Sequence, residues 1–175
     1  MRKPPPLLDE ADLYQYAVRA LGRQMRTVAE LKRLMGRKVE PGELGQTKIA
    51  AVVARLLDQH YLDDPAFAST YTRLRQENQG FGKRRVQQEL ARKGVQSETA
   101  ASAIESAYAE VSEDELVRRY VARKRLEKPQ DQKQTARVIR RLVGAGFSFA
   151  VISKLLKSWN IEQSEVDLES DSDPD

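Results

Sequence analysis

Apolar residues recur every three or four positions along most of this chain, a spacing that places them on one face of an α-helix. The cleanest example lies in 49–57. From Ala11 onward no stretch shows the strict two-residue alternation of a half-buried strand. The pattern predicts an all-α protein in which each helix packs one apolar stripe into the core. The predicted stripes are Tyr14, Ala17, Val18, Leu21; Leu31, Leu34, Met35; Ile49, Val52, Val53, Leu56, Leu57; Phe67, Tyr71, Leu74; Ala100, Ala103, Ile104, Ala107, Tyr108; Leu116, Tyr120, Val121; Ile139, Leu142, Val143; and Phe149, Ile152, Leu155, Leu156, Trp159.

Polar residues with helix-capping chemistry precede several of these stripes. Thr27 with Glu30, and Ser112 with Glu115, have the spacing of a capping box, in which each side chain accepts the other residue's backbone N–H. Glycines mark helix ends because they adopt left-handed backbone angles readily. Further helices are predicted to start at Asp64 before Pro65, at Ser97, at Asp131 with Gln134 and at Ser148. Helix ends are predicted at Gly80-Phe81-Gly82 and at Gly94.

The stripes and their start signals fall into three groups of three helices, each about 50 residues long. Aligning the middle helices gives Leu34, Leu90 and Leu142 equivalent positions, 56 and 52 residues apart. A unit of that size is marginally stable alone, so its stripes must also join neighbouring units. We therefore expect three tandem three-helix repeats in an elongated, curved array, divided into a flexible lead (1–10), repeats at 11–62, 63–110 and 111–161, and a disordered acidic tail (162–175).

Composition argues against an enzyme. The chain of 175 residues has no cysteine and a single histidine, His60. Disulfides and thiolate metal sites are thereby excluded, and a zinc site or a histidine-dependent triad is disfavoured. Gly80 and Gly82 follow no strand and lack the lysine spacing of a phosphate-binding loop. We expect no catalytic residue, no bound metal and no cofactor.

No segment has the ~20 apolar residues that a membrane span requires. The longest apolar-looking run, Leu142 to Ile152, is about half that length and includes two glycines and a serine. The N-terminus runs from Met1 into three prolines and two acidic residues, without an apolar signal core. We expect a cytoplasmic monomer without a membrane partner.

The net charge of +4 averages two unlike regions. Seven of the 26 acidic residues lie in 162–175, which contains none of the 30 basic ones. The preceding 161 residues therefore hold 30 basic and 19 acidic side chains, a balance of +11. Residues 1–161 therefore form a strongly basic body. Such a charge indicates a polyanionic partner or an acidic groove on another protein.

Two basic clusters account for much of this charge. The first lies in 83–93, where helical spacing places Arg85, Glu89, Arg92 and Lys93 on or near one face of a predicted helix. A charge run of this kind is often only a solvated face. Taken alone, the cluster is therefore equally consistent with solubility and with binding.

The second cluster spans 118–141 and contains ten basic residues against two acidic ones, a balance of +8. Together the clusters favour recognition, because arginine outnumbers lysine and its guanidinium group binds phosphate and carboxylate in a planar, bidentate manner. Binding to DNA through such contacts would weaken steeply with salt. The candidate contact residues are Lys83, Arg84, Arg85, Arg92, Lys93, Arg118, Arg119, Arg123, Lys124, Arg125, Arg137, Arg140 and Arg141.

The run Tyr61-Leu62-Asp63-Asp64 admits a chemical and a structural interpretation. Two adjacent carboxylates could bind a metal or act in acid–base chemistry. The structural interpretation is favoured: Asp64 caps a helix that has Pro65 at its first position, and Asp63 lies beside the positive helix end. Tyr61 and Leu62 would then anchor the junction.

Four short motifs follow one another between residues 61 and 95: Tyr61-Leu62-Asp63-Asp64, Gly82, Gln88-Glu89-Leu90 and Lys93-Gly94-Val95. In order and spacing they resemble the central signature of the RecX family. A weaker likeness extends upstream to 26–31 and past Val111, so that it covers most of 11–159. The signature residues taken as mainly structural are Tyr61, Leu62, Asp63, Asp64, Gly82, Leu90 and Gly94.

RecX proteins restrain the RecA recombinase. The resemblance therefore implies a negative regulator that lodges in the groove of the RecA–DNA filament and contacts successive protomers. It further implies inhibition of filament extension, ATP hydrolysis, strand exchange and coprotease activity. The basic clusters would contact acidic filament surfaces or the phosphates within.

Two alternatives stay open. The basic body would equally suit a helical protein that binds single- and double-stranded DNA weakly, without sequence preference and without RecA. Exposed aromatics among the basic residues would favour that alternative, and Phe81 and Tyr120 are the only candidates. The acidic tail is either a solubilising extension or a tethered DNA mimic that folds back on the basic clusters.

Overall fold

Nine α-helices make up most of residues 7–161, the part of the chain that the computed structural model describes. That part contains no strand, which confirms the predicted all-α class. A π-helical turn, Arg75–Gln79, directly follows the fourth helix. The helices are α1 (Glu10–Leu21), α2 (Val28–Met35), α3 (Glu43–Asp58), α4 (Asp64–Leu74), α5 (Lys83–Arg92), α6 (Ser97–Tyr108), α7 (Glu113–Arg123), α8 (Gln132–Gly144) and α9 (Phe149–Ser158).

The predicted tail, 162–175, and most of the predicted lead lie outside the described residues. The end of the lead is already part of the fold. Leu8 donates its N–H to the Lys38 carbonyl at 2.8 Å, and the Asp9 carboxylate caps α1 by accepting the N–H of Asp12 at 2.8 Å.

The chain forms two compact units. Unit 1 comprises the described residues up to Leu74 together with Gln87–Ala107. Its helices α1, α2 and α3 contact one another and bury one shared apolar cluster. The fully buried members of that cluster include Leu13, Ala17, Leu31, Met35 and Leu56.

Unit 2 comprises Arg75–Val86 and the described residues from Tyr108 onward. Within it, α7 and α8 both pack against α9. The Phe147 ring is buried and meets the Tyr120 ring edge-on at 5.4 Å between centroids. The Tyr108 hydroxyl donates to the Phe81 carbonyl at 2.6 Å, and burial raises the pKa of Tyr108 far above its usual value. The predicted repeat boundaries after residues 62 and 110, and the elongated, curved array, stay predictions.

Side-chain caps begin several helices as predicted. Thr27 and Glu30 form a complete capping box: Thr27 Oγ1 accepts the Glu30 N–H at 3.1 Å, and Glu30 Oε2 accepts the Thr27 N–H at 3.3 Å. Ser112, Asp131 and Ser148 each accept a backbone N–H from the residue three positions later. The capping box predicted for Ser112 with Glu115 is only half formed, because the Glu115 side chain does not accept the Ser112 N–H. These short-range rules therefore located the starts of α2, α7, α8 and α9 correctly.

The start of α4 was predicted one residue too late. Asp63 is the N-cap, since its carboxylate accepts the N–H of Ala66 at 2.8 Å and its carbonyl accepts that of Phe67 at 2.9 Å. Asp64 is the first helical residue, and its carboxylate accepts the N–H of Val28 at 2.9 Å. The signature carboxylate thus ties the start of α4 to the start of α2, a contact that local capping rules cannot show.

Several residues assigned to core stripes are exposed instead. Because helical spacing marks a face about 100° wide, it does not show which edge residue a neighbouring helix covers. Leu34 is only half-buried, whereas Leu90 and Leu142 are fully buried. The junction before α4 is anchored by buried Leu62 and not by Tyr61. Tyr61 is 56% exposed, and the wrongly assigned core residues are Leu57, Leu74, Val143 and Phe149, each 43–52% exposed.

Residues with left-handed backbone angles end five of the described helices. After α5, Gly94 has φ +80° and donates its N–H to Ala91, while Val95 donates to Leu90 at 3.1 Å. This is a Schellman motif, and it confirms the predicted glycine stop. The corresponding residues after the other four helices are His60, Arg125, Gly146 and Asn160.

Replacing His60 by glycine should raise the free energy of unfolding by about 0.5–1 kcal/mol, because a side chain at φ +58° costs roughly 1–2 kcal/mol relative to the right-handed region. His60 is exposed, so no packing is lost. Urea denaturation followed by circular dichroism measures the change. The control is Ala54→Gly at an exposed position inside α3, where glycine should lower stability by about 1 kcal/mol; a loss of stability in His60→Gly would contradict the prediction.

Candidate partner-binding surface

The thirteen candidate contact residues divide unequally between the units. Eleven belong to unit 2, and only Arg92 and Lys93 belong to unit 1. Arg85, Lys93 and Lys124 are half-buried. The exposed ten are Lys83, Arg84, Arg92, Arg118, Arg119, Arg123, Arg125, Arg137, Arg140 and Arg141.

Four exposed basic residues share one side of α8, whose other side is buried: Lys133, Arg137, Arg140 and Arg141, hereafter the α8 basic face. None of the four makes a salt bridge or hydrogen bond with another described residue. Like charges three or four positions apart destabilise a helix by a few tenths of a kcal/mol per pair. The face therefore destabilises α8 and is available to an anion. Lys133 was not among the candidates, although its spacing of four from Arg137 is visible in the sequence.

The start of α5 and the end of α8 meet in direct backbone contact. Gly82 donates its N–H to the Ala145 carbonyl at 2.8 Å. A Cβ atom on Gly82 would overlap the carbonyl of Gly146, so this approach requires glycine. The signature glycine is thus a packing residue of unit 2.

This contact joins two basic groups. Lys83 and Arg84 are exposed in the first turn of α5, next to the end of α8 that carries Arg140 and Arg141. That first turn contains no acidic residue, although the positive end of a helix dipole favours one. The junction is therefore a concentration of positive charge within unit 2 that an anionic partner would relieve.

A second group lies on α7. Arg118 and Arg119 are exposed and make no salt bridge or hydrogen bond with the described residues. Arg123 instead donates to two main-chain carbonyls of the π-helical turn. The Lys124 ammonium lies 5.9 Å from the centroid of the buried Tyr120 ring. The accessible pair on this helix is therefore Arg118 with Arg119.

Lys93 is committed to contacts within unit 1. Its ammonium lies 2.8 Å from Glu30 Oε1 and 5.5 and 5.2 Å from the ring centroids of Phe67 and Tyr71. Thr27 donates its hydroxyl to the Lys93 carbonyl at 2.6 Å. The lysine thereby connects the capping box of α2 to α4 and to the end of α5.

The predicted face of Arg85, Glu89, Arg92 and Lys93 is consequently not a free basic surface. Three of these side chains are half-buried at a spacing of four. The Arg85 guanidinium lies near the Gly144 carbonyl at the end of α8. Glu89 accepts a hydrogen bond from the Tyr71 hydroxyl at 2.8 Å, and Lys93 forms its salt bridge with Glu30. Of the four, Arg92 is exposed, and the other three side chains on this helical face make contacts inside the protein.

The other signature residues fill structural places. Leu90 is fully buried, and a Cβ atom on Gly94 would overlap the side chain of Ala29. Among residues 7–161, no group of three or more acidic or histidine side chains could hold a metal ion. No helix in that range is long and apolar enough to cross a membrane.

Neither aromatic residue proposed to stack on nucleic-acid bases presents a free ring. Tyr120 is 5% exposed and packs edge-on against Phe147. Phe81 is half-buried, with the Arg85 guanidinium 5.5 Å from its ring centroid. The feature that would have favoured a RecA-independent nucleic-acid-binding protein is therefore missing at these two residues.

Comparison with known proteins identifies the family. A family model described as the second three-helix domain of RecX matches residues 63–104. The regulatory protein RecX of Mycolicibacterium vanbaalenii is 35% identical over 130 residues, covering 73% of this chain and 68% of the relative. The chain belongs to the RecX family. RecX of Myxococcus xanthus is 30% identical over 169 residues, covering 89% of this chain and 90% of the relative.

Solved RecX structures share the fold. A crystal structure of regulatory protein RecX matches with a TM-score of 0.66 at 22% identity, covering 85% of this chain and 71% of that one. Some RecX relatives are longer: the chain spans 53% of RecX from Oceanobacillus iheyensis. The all-helical architecture is therefore that of RecX proteins, as the signature in 61–95 implied.

Proposed function

We propose that this protein is a non-enzymatic negative regulator of RecA that binds the groove of the RecA–DNA filament. The observation that carries the proposal is the α8 basic face, whose four cations have no anionic partner among the described residues. Membership of a family of proteins named regulatory protein RecX supports it. We propose as well that the protein acts in the cytoplasm, as a monomer and without a cofactor.

Several weak contacts acting together would provide the affinity. Exposed ion pairs contribute about 0–1 kcal/mol each, but linked contacts bind with a high effective concentration once the first has formed. The α8 basic face, the α5–α8 junction, and Arg118 with Arg119 would supply such contacts. A protein held in the groove would block filament extension and impede ATP hydrolysis, strand exchange and coprotease activity.

DNA-dependent ATP hydrolysis by the cognate RecA, titrated with this protein on preformed filaments, tests the proposal. Inhibition well below RecA stoichiometry that persists with excess single-stranded competitor DNA would support filament binding. Inhibition that requires enough protein to cover the DNA, and that competitor relieves, would favour the RecA-independent DNA-binding protein. No inhibition under either condition would exclude the proposed regulation of RecA.

Removing three charges from the α8 basic face should weaken inhibition by about tenfold, since each lost contact contributes roughly 0.5 kcal/mol. The variant is Arg137→Gln/Arg140→Gln/Arg141→Gln, in which glutamine retains helix propensity. The concentration that halves RecA ATP hydrolysis is measured for both proteins. Arg19→Gln/Arg23→Gln/Arg37→Gln, which removes three exposed charges from unit 1, is the matched control. Equal losses in the two variants would show that only total charge matters.

A sequence-independent nucleic-acid-binding protein is the second candidate, because exposed arginines also suit phosphates. Its affinity for DNA alone should fall linearly with the logarithm of salt concentration. The buried Tyr120 and the covered Phe81 weaken this candidate, since stacking on bases requires free rings. The competitor arm of the ATP hydrolysis experiment distinguishes it from the regulator.

A further inference from the structure

The four cations of the α8 basic face form no salt bridge with the described residues of unit 2, although that unit contains acidic side chains. The nearest in the chain, Asp131, is bound by the N–H groups of Gln134. Glu113 accepts both the N–H and the hydroxyl of Ser148, at 2.8 and 2.9 Å. Asp114 pairs with Lys154 at 2.7 Å. These two carboxylates stabilise the contact between α7 and α9 and leave the arginines of α8 unpaired.

The acidic segment 162–175 begins directly after Ile161, close behind the end of α9. It carries seven carboxylates and no basic residue. A 14-residue segment spans at most about 50 Å, whereas α8 with its 13 residues is about 20 Å long. Because α9 packs against α8, the segment can reach the whole α8 basic face.

The charges also match in spacing. From Asp167 to Asp175 every second residue is acidic. In an extended segment such residues would lie on one side at intervals of about 6.6–6.8 Å. Lys133, Arg137 and Arg141 recur every four residues along α8, at intervals of about 6 Å.

We infer that residues 162–175 bind the α8 basic face of the same molecule and thereby compete with its anionic partner. The contact itself follows from charge, reach and spacing; its regulatory consequence rests on the proposed function. Each exposed ion pair is weak, but tethering supplies an effective concentration in the millimolar range. A partner with more contacts, such as a filament, would displace the segment, and salt would screen the contact.

A spin label at the end of the segment tests the contact in the free protein, without RecA or DNA. The chain has no cysteine, so Ser172→Cys provides a unique attachment site. We expect broadening of the amide NMR signals of 133–141. Arg137→Gln/Arg141→Gln or high salt should abolish it, whereas Arg19→Gln/Arg37→Gln should retain it.

Three results would contradict the inferred contact between residues 162–175 and the α8 basic face. One is the absence of broadening on α8, and another is broadening centred on Arg118 and Arg119 of α7. The third is equal broadening when the label and the isotope are on separate molecules, which would indicate that the segment binds a second copy. A solubilising tail predicts only weak broadening, which Arg137→Gln/Arg141→Gln and high salt would leave unchanged.

Competition is tested by fluorescence anisotropy with a labelled single-stranded oligonucleotide. A chain ending at residue 161, and a full-length chain with all seven tail carboxylates changed to amides, should both bind about tenfold more tightly than the native chain at low salt. The difference should shrink as salt rises, because the ion pairs are exposed. The inferred competition would be contradicted if all three chains bound the oligonucleotide with equal affinity, or if none of them bound it.

The two proposals fail separately. If the spin label detects the contact but the protein leaves RecA unaffected, the proposed function is wrong and the tail contact stands. If RecA is inhibited equally by the native and truncated chains and no broadening appears, the tail inference is wrong and the proposed function stands.

Discussion

Replacing Gly146 by alanine should lower the free energy of unfolding by about 3 kcal/mol, the largest single-residue effect that we expect in this protein. Gly146 has φ +90°, a conformation that strains any other residue. An added Cβ atom would also overlap the backbone nitrogen of Arg85 and lie 2.8 Å from the Gly82 carbonyl. The start of α5 would therefore be pushed away from the end of α8.

Urea denaturation followed by fluorescence measures this loss, because Trp159, the only tryptophan of the chain, lies in unit 2. Gly144→Ala is the matched control two residues away. A Cβ atom there meets nothing within 4 Å, and the residue is helical, so alanine should raise stability by about 0.5–1 kcal/mol. Similar stabilities of the two variants would show that the α5–α8 contact does not depend on glycine.

Removing the Asp64 carboxylate should lower the free energy of unfolding by about 2 kcal/mol. This loss should exceed the one caused by removing the carboxylate of the neighbouring Asp63. The Asp64 side chain is the acceptor for the N–H of Val28, and Asp64→Ala would leave that donor partly buried without a partner. It would also remove a negative charge from the positive end of α2. Because the contact joins the starts of two helices, its loss affects the packing of unit 1 as well as one cap.

Asp63→Ala is the comparison for this prediction. It removes an ordinary N-cap, whose loss typically costs about 1 kcal/mol. Urea denaturation followed by circular dichroism measures the free energy of unfolding of both variants. If Asp63→Ala were the more damaging change, the α2–α4 contact would contribute less than a cap, and the structural importance assigned to Asp64 would be wrong.

Local patterns were sufficient for the helices themselves. The capping box of Thr27 with Glu30, the caps at Asp131 and Ser148, and the stop at Gly94 were all predicted from residues within one turn. Such signals depend on backbone groups that must be satisfied close by in the chain. They failed at Asp64, because its carboxylate is used by Val28, 36 positions away.

The candidate surface was predictable in composition but not in layout. The sequence showed that 83–93 and 118–141 are rich in arginine and lysine. It could not show that Lys93 pairs with Glu30 or that Arg123 binds the π-helical turn, because both partners come from other helices. Which cations remain accessible depends on which carboxylates and rings the fold places beside them.

The sequence alone determined the all-helical class, most helix boundaries and membership of the RecX family, because periodicity, capping and the 61–95 signature are properties of neighbouring residues. The tertiary structure decided which edges of each helix are covered and which glycines permit backbone contact, as at Gly82 and Gly146. It also decided which basic residues are unpaired. The physical reason is that burial, ion pairing and close approach are relations between helices that are distant in the chain, and no local pattern encodes the partner.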